Sequence, residues 1–77
     1  MRKAYVEVVA EFSREGQIYP RILIWEDGRR FAIDRILDRR PAASLKAGGV
    51  GIRYTCLIRN KQVFLYLEEN KWFVEAQ

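Results

Sequence analysis

From Ala4 to Phe12 the chain alternates with a period of two. Ala4, Val6, Val8, Ala10 and Phe12 fall on one side, and Tyr5, Glu7, Val9 and Glu11 on the other. A helix would scatter these residues around its axis, whereas a strand sorts them onto a core face and a solvent face. The habit returns further along. Ile18 to Trp25 is rich in β-branched and aromatic residues, with Pro20 near its start, where a missing ladder donor is tolerated on an edge. Within Ile52 to Arg59, the residues Tyr54, Cys56 and Ile58 alternate with Arg53, Thr55, Leu57 and Arg59. Val63 to Leu67 and Trp72 to Val74 complete the set.

Turn residues separate these runs. Ser13-Arg14-Glu15-Gly16 is a polar turn with glycine placed for positive φ. Asp27-Gly28, between two strand-like runs, predicts a hairpin with a type I′ turn and positive φ at both residues. Asn60-Lys61 and Glu69-Asn70-Lys71 predict two more turns. The strand opened by Arg29 runs to about Asp38 and changes face, because Phe31 and Ile33 share a parity that Ile36 does not. A bulge or bend near Asp34-Arg35 would let this strand serve two parts of a curled sheet. A helix over residues 33–37 competes with that reading, since Ile33, Ile36 and Leu37 fit helical spacing, but no clean cap frames it. Residues 39–51 form the one long connection, with Pro41, Gly48, Gly49 and Gly51; residues 42–47 within it suit a single helical turn closed by glycine. The expected architecture is one all-β domain over residues 1–77. It is a small antiparallel meander of five to six strands, curling into an SH3-like or OB-like partly open barrel.

The chain has 77 residues, so about 60–65% of its unfolded surface becomes buried and its stability should be modest. A homodimer would add burial. No apolar run approaches the ~20 residues that span a bilayer, and Glu7 and Glu11 interrupt any signal-peptide core. A single cysteine fits a reducing compartment, and a cytoplasmic location is expected.

The residue types argue against catalysis. With no histidine, the usual general base and imidazole ligand are missing. One cysteine builds neither a zinc site nor a redox pair, and Cys56 sits at core parity as a small hydrophobe. Ser13 and Ser44 have no recognisable partner base. Asp34, Asp38, Glu26 and Asp27 each lie beside arginines, which reads as surface pairing rather than acid–base chemistry. Ala47-Gly48-Gly49-Val50-Gly51 lacks the lysine and hydroxyl of a phosphate loop. No enzyme activity and no cofactor or metal are expected.

What remains is charge set among rings. The net charge is +4, but residues 29–59 alone carry +6 and both flanks are slightly acidic. If Tyr54, Cys56 and Ile58 face inward, Arg53, Thr55, Leu57 and Arg59 face out. Phe64 and Tyr66 oppose the parity of Val63, Leu65 and Leu67. Arginines beside exposed aromatics make a surface for phosphate contact and base stacking. The expected ligand is single-stranded nucleic acid, held by Arg35, Arg39, Arg40, Lys46, Arg53 and Arg59, with Phe64 and Tyr66 stacking. Three other readings stand beside it: a solvated arginine-rich surface, a second core layer under Phe64 and Tyr66, and an aromatic face that docks a protein partner or a second copy of the chain.

The run Pro20…Trp25-Glu26-Asp27-Gly28-Arg29-Arg30-Phe31…Ile36-Leu37-Asp38-Arg39, with Tyr54, Leu65-Tyr66 and Trp72-Phe73-Val74-Glu75, resembles a known pattern. It is similar to a family of small uncharacterised bacterial proteins with a domain of unknown function, some encoded beside translesion-polymerase and mutagenesis genes. The likeness spans about residues 18–75. It implies a small β-domain in a DNA-repair setting and supplies no catalytic residue. After Arg39 the chain departs from the family, carrying Arg40-Pro41-Ala42-Ala43 where the family tends to have tryptophans.

Overall fold

A computed structural model describes residues 2–42 and 51–76. Seven strands form one antiparallel sheet: β1 (Arg2–Phe12), β2 (Ile18–Ile24), β3 (Arg30–Ala32), β4 (Arg35–Pro41), β5 (Ile52–Ile58), β6 (Lys61–Glu68) and β7 (Lys71–Ala76). Their order across the sheet is β3-β2-β1-β7-β6-β5-β4. The all-β, barrel-like expectation holds, with seven strands in place of five to six. The order also departs from a simple meander, because β1 and β7, the first and last strands, pair in the middle.

The extra strand comes from the change of parity at Ile33–Ile36. The expected strand from Arg29 to Asp38 breaks at Ile33-Asp34 into β3 and β4, which lie on opposite edges of the sheet. The Ile33 N–H bonds to the Arg21 carbonyl of β2 (2.9 Å), and the next N–H, of Asp34, bonds to the Leu57 carbonyl of β5 (2.8 Å). Two adjacent residues reach opposite edges only if the sheet curls those edges together. The result is a half-barrel, and the helix weighed for residues 33–37 gives way to this corner. A register shift between Ile36 and Asp38 sets Leu37 aside as a bulge. The long connection is also shorter than expected, since Arg39 to Pro41 extend β4 along Tyr54, Arg53 and Ile52. The helical turn expected over residues 42–47 lies, beyond Ala42, outside the described residues.

β1 is long because it serves two neighbours. Arg2 to Val6 pair with β7, and Glu7 to Phe12 with β2, around a bulge at Val9/Ala10. Pro20 sits at that bulge, where a regular ladder is already interrupted. Two loops, Arg14-Glu15-Gly16 and Glu26-Asp27-Gly28, end in a glycine at positive φ (+87° and +89°). In the second loop the Gly28 N–H bonds to the Trp25 carbonyl and the Trp25 N–H to the Arg29 carbonyl. With positive φ at Gly28 but not at Asp27, this is a three-residue hairpin with a glycine bulge, not the type I′ turn expected there. The type I′ signature of two positive φ values appears instead at Arg59-Asn60 and Glu69-Asn70, which join β5 to β6 and β6 to β7.

The core fills the concave side. Ala4 and Val6 of β1, Leu23 of β2, Ile33 of the corner, Tyr54, Cys56 and Ile58 of β5, Leu65 of β6 and Val74 of β7 pack as one cluster. Tyr54 is fully buried, and its hydroxyl donates to the Ile18 carbonyl of β2 at 2.6 Å, a tie across the inside of the curl. Among the described residues no helix is long and apolar enough to cross a membrane.

Candidate functional site

The outward side of β4, β5 and β6 carries most of the residues singled out from sequence. Cross-strand pairs set side chains on one face next to each other. Arg40 lies opposite Arg53, Arg53 opposite Tyr66, and Tyr66 opposite Phe73. Phe73 in turn faces Tyr5 of β1. One row therefore crosses five strands, from guanidinium groups on β4 and β5 to rings on β6, β7 and β1. In the next row Asp38 stands opposite Thr55 and Thr55 opposite Phe64. In the row beyond, Arg35 stands opposite Leu57.

Within this face Arg53 and Phe64 are coupled. The Arg53 guanidinium lies over the Phe64 ring, 4.8 Å from its centroid, while its Nε is buried without a hydrogen-bond partner. Phe64 is 42% exposed, so one apolar ring is presented beside a cation. Tyr66 stacks face to face on Phe73, with centroids 4.9 Å apart and planes 4° apart. One face of Tyr66 is thus occupied, and Phe73 is nearly buried although it points outward. The reading of Tyr66 as part of a second packed layer is correct in this respect. Burial and a hydrogen bond from its hydroxyl to the Glu75 carboxylate raise the Tyr66 pKa above that of a free phenol.

The arginines do not all gather here. Arg35, Arg40 and Arg53 share the outward face. Arg39 pairs with Tyr54 on the inward parity of β4, its Nε 3.5 Å from the Tyr54 hydroxyl. Arg59 sits in the β5–β6 turn with its guanidinium 5.0 Å from the Phe31 ring, at the far end of β5. Lys46 lies outside the described residues.

Ion pairing sorts the cations further. Arg40 meets Asp38 at 3.4 Å, Arg29 meets Asp27 at 2.7 Å, Arg21 meets Glu11 at 2.7 Å and Arg2 meets Glu26 at 3.0 Å. The acidic residues near turns are therefore engaged by arginines, as expected. Asp34 differs, since it accepts the backbone N–H of Arg59 at 3.1 Å. The N–H of Arg29 keeps the Asp27 pKa low, and a hydrogen bond from Arg2 does the same for Glu26. Arg35 and Arg53 pair with no carboxylate among the described residues, and Arg53 is the one that touches a ring on the same face.

No group of three or more metal-ligating side chains forms among the described residues. Cys56 is buried, which pushes its thiol pKa up to about 11. Such a thiol is a poor nucleophile at neutral pH.

Sequence reasoning missed an apolar groove of about 740 Å³ beside this face, lined by Trp25, Phe31 and Val63 and reached by Phe64 and Tyr66. It comes from strand pairing that fails partway along a hairpin, for which a single sequence carries no distinct signal. In comparisons with known proteins, no family model, curated protein or solved structure matches the chain.

Proposed function

We propose that the protein binds single-stranded nucleic acid on the outward face of β4, β5 and β6. The observation that carries this reading is Arg53. Its guanidinium has no carboxylate partner among the described residues and lies over the half-exposed Phe64 ring, between Arg40 on one side and Tyr66 on the other. Arg35 and Arg40 contact phosphates beside it, and Phe64 offers a surface for one base. Base stacking on a protein ring contributes roughly 1–3 kcal/mol and tolerates any base, so low sequence selectivity is expected. Arg39 and Arg59 are left out of this interface because they stand elsewhere.

Fluorescence anisotropy with short labelled oligodeoxythymidine and oligouridine tests the reading. Three phosphate contacts predict a salt slope near −2, an affinity loss of about twentyfold between 50 and 200 mM salt. The triple variant Arg35→Gln, Arg40→Gln, Arg53→Gln should flatten the slope and remove most binding. Absence of saturable binding at low salt defeats the proposal. A salt-insensitive homodimer, or a salt-insensitive complex with another protein, would instead assign the same aromatic face to a protein partner.

A further inference from the structure

The apolar groove has a definite structural origin. β6 and β7 pair only from Glu68–Lys71 to Leu65–Val74. Beyond that point they part: β6 follows β5 down to Lys61, and β7 follows β1 up to Ala76. The sheet splits there, and the split opens onto Leu23, Trp25, Phe31, Ile58, Val63 and Val74. Its volume, about 740 Å³, lies in the range of sites that hold small organic ligands.

Two cations stand at one end of this apolar trough. Arg59 and Lys61 flank the β5–β6 turn and line the groove, and neither pairs with a carboxylate side chain within 4.0 Å among the described residues. Arg59 is held over the groove, with its guanidinium against the Phe31 ring. Its backbone has φ +51°, a conformation that a glycine or asparagine adopts at lower cost. Asp34 lies at this turn, and one of its oxygens takes the Arg59 N–H. Glu75 lines the groove too, where its carboxylate accepts from Tyr66. An apolar floor with a cationic end is complementary to a molecule that has an apolar body and an anionic head.

We propose that this groove binds a medium-chain aliphatic carboxylate, with the chain along Trp25, Phe31 and Val63 and the carboxylate between Arg59 and Lys61. The site uses other cations than the nucleic-acid face, Arg59 and Lys61 in place of Arg35, Arg40 and Arg53, although Phe64 and Tyr66 of that face also reach its rim. Calorimetric titration of the full chain with dodecanoate, below its micelle concentration, tests it against dodecanol and dodecyltrimethylammonium. Saturable binding of dodecanoate is expected, at least tenfold tighter than of the alcohol and with no binding of the cation. Arg59→Gly and Lys61→Gln should each erase most of the preference for the carboxylate. Arg59→Gly relaxes the turn, so it should melt at or above the wild-type temperature, which separates lost binding from lost folding. Glu69→Gly makes the same backbone change in the β6–β7 turn, away from the groove, and should leave affinity unchanged. No saturable heat with dodecanoate, equal binding of the three probes, or an unaltered preference in Arg59→Gly would overturn the proposal. Saturation by an extended acidic peptide but not by dodecanoate would overturn it in favour of a protein segment.

Discussion

The two faces of β5 and β6 are built from alternate residues of the same strands, yet they differ in nearly every physical respect. Inward, Tyr54, Cys56 and Leu65 are fully buried, and one phenol hydroxyl is satisfied by a carbonyl across the curl. Outward, Arg53, Phe64 and Tyr66 are partly exposed, and their contacts are cation–ring and ring–ring. Burial fixes the first face, so its residues have few alternatives. The second face is held by cation–ring and ring–ring contacts, each contributing on the order of 0.5–1.5 kcal/mol. Stability should therefore be sensitive to the inside, and ligand binding to the outside.

The sharpest challenge to this contrast is Leu65→Ala. Removing a fully buried side chain from a small core should cost about 2–5 kcal/mol, read as a lower urea midpoint with an unchanged slope. A loss below about 1 kcal/mol would mean that the inner face is loosely packed. Next comes alkaline pH. The Cys56 pKa is raised from 9.0 to about 11 by burial, so its contribution is complete below the unfolded value and is lost as pH rises from about 9 through about 11. Wild type should lose roughly 3 kcal/mol relative to Cys56→Ala across that window, narrowing the gap between the two proteins. Tyr54→Phe should cost about 1–3 kcal/mol, because the Ile18 carbonyl loses its buried donor. On the outer face the stability effects shrink. Arg53→Gln should change stability by no more than about 0.5 kcal/mol while weakening oligonucleotide binding severalfold. If Arg53→Gln destabilises the fold as much as Leu65→Ala, the outer row is structural and the division of labour fails.

The inner face was readable from sequence because it obeys a single rule. Alternation placed Ala4, Val6, Tyr54, Cys56, Ile58 and Leu65 inward, and each is buried, whereas Phe12, at the end of the same alternation in β1, is 71% exposed. The corner at Ile33-Asp34 was also visible, as a shift of apolar parity toward Ile36, although the pattern did not reveal that the chain changes sheet edges there. Turn types were harder. Asp27-Gly28 looks like a two-residue turn, but pairing of Ile24 with Arg30 leaves room for a three-residue loop. Arg59 and Glu69 adopt positive φ with no glycine to signal it. Their conformations follow from the register of the flanking strands, which is a long-range property. The candidate interface was legible in part for the same reason. Parity identifies outward residues of one strand, as with Arg53 and Phe64. It does not identify which strands become neighbours, so Arg39 and Arg59 were grouped with residues they do not meet.

Backbone amide shifts in an NMR titration with oligodeoxythymidine test the outward-face assignment most directly. The account predicts saturable, salt-sensitive changes at Arg35, Arg40, Arg53, Phe64 and Tyr66, with Leu23, Trp25 and Phe31 unmoved. Changes concentrated at Leu23, Trp25 and Phe31, or none at any residue of β4 to β6, would contradict it.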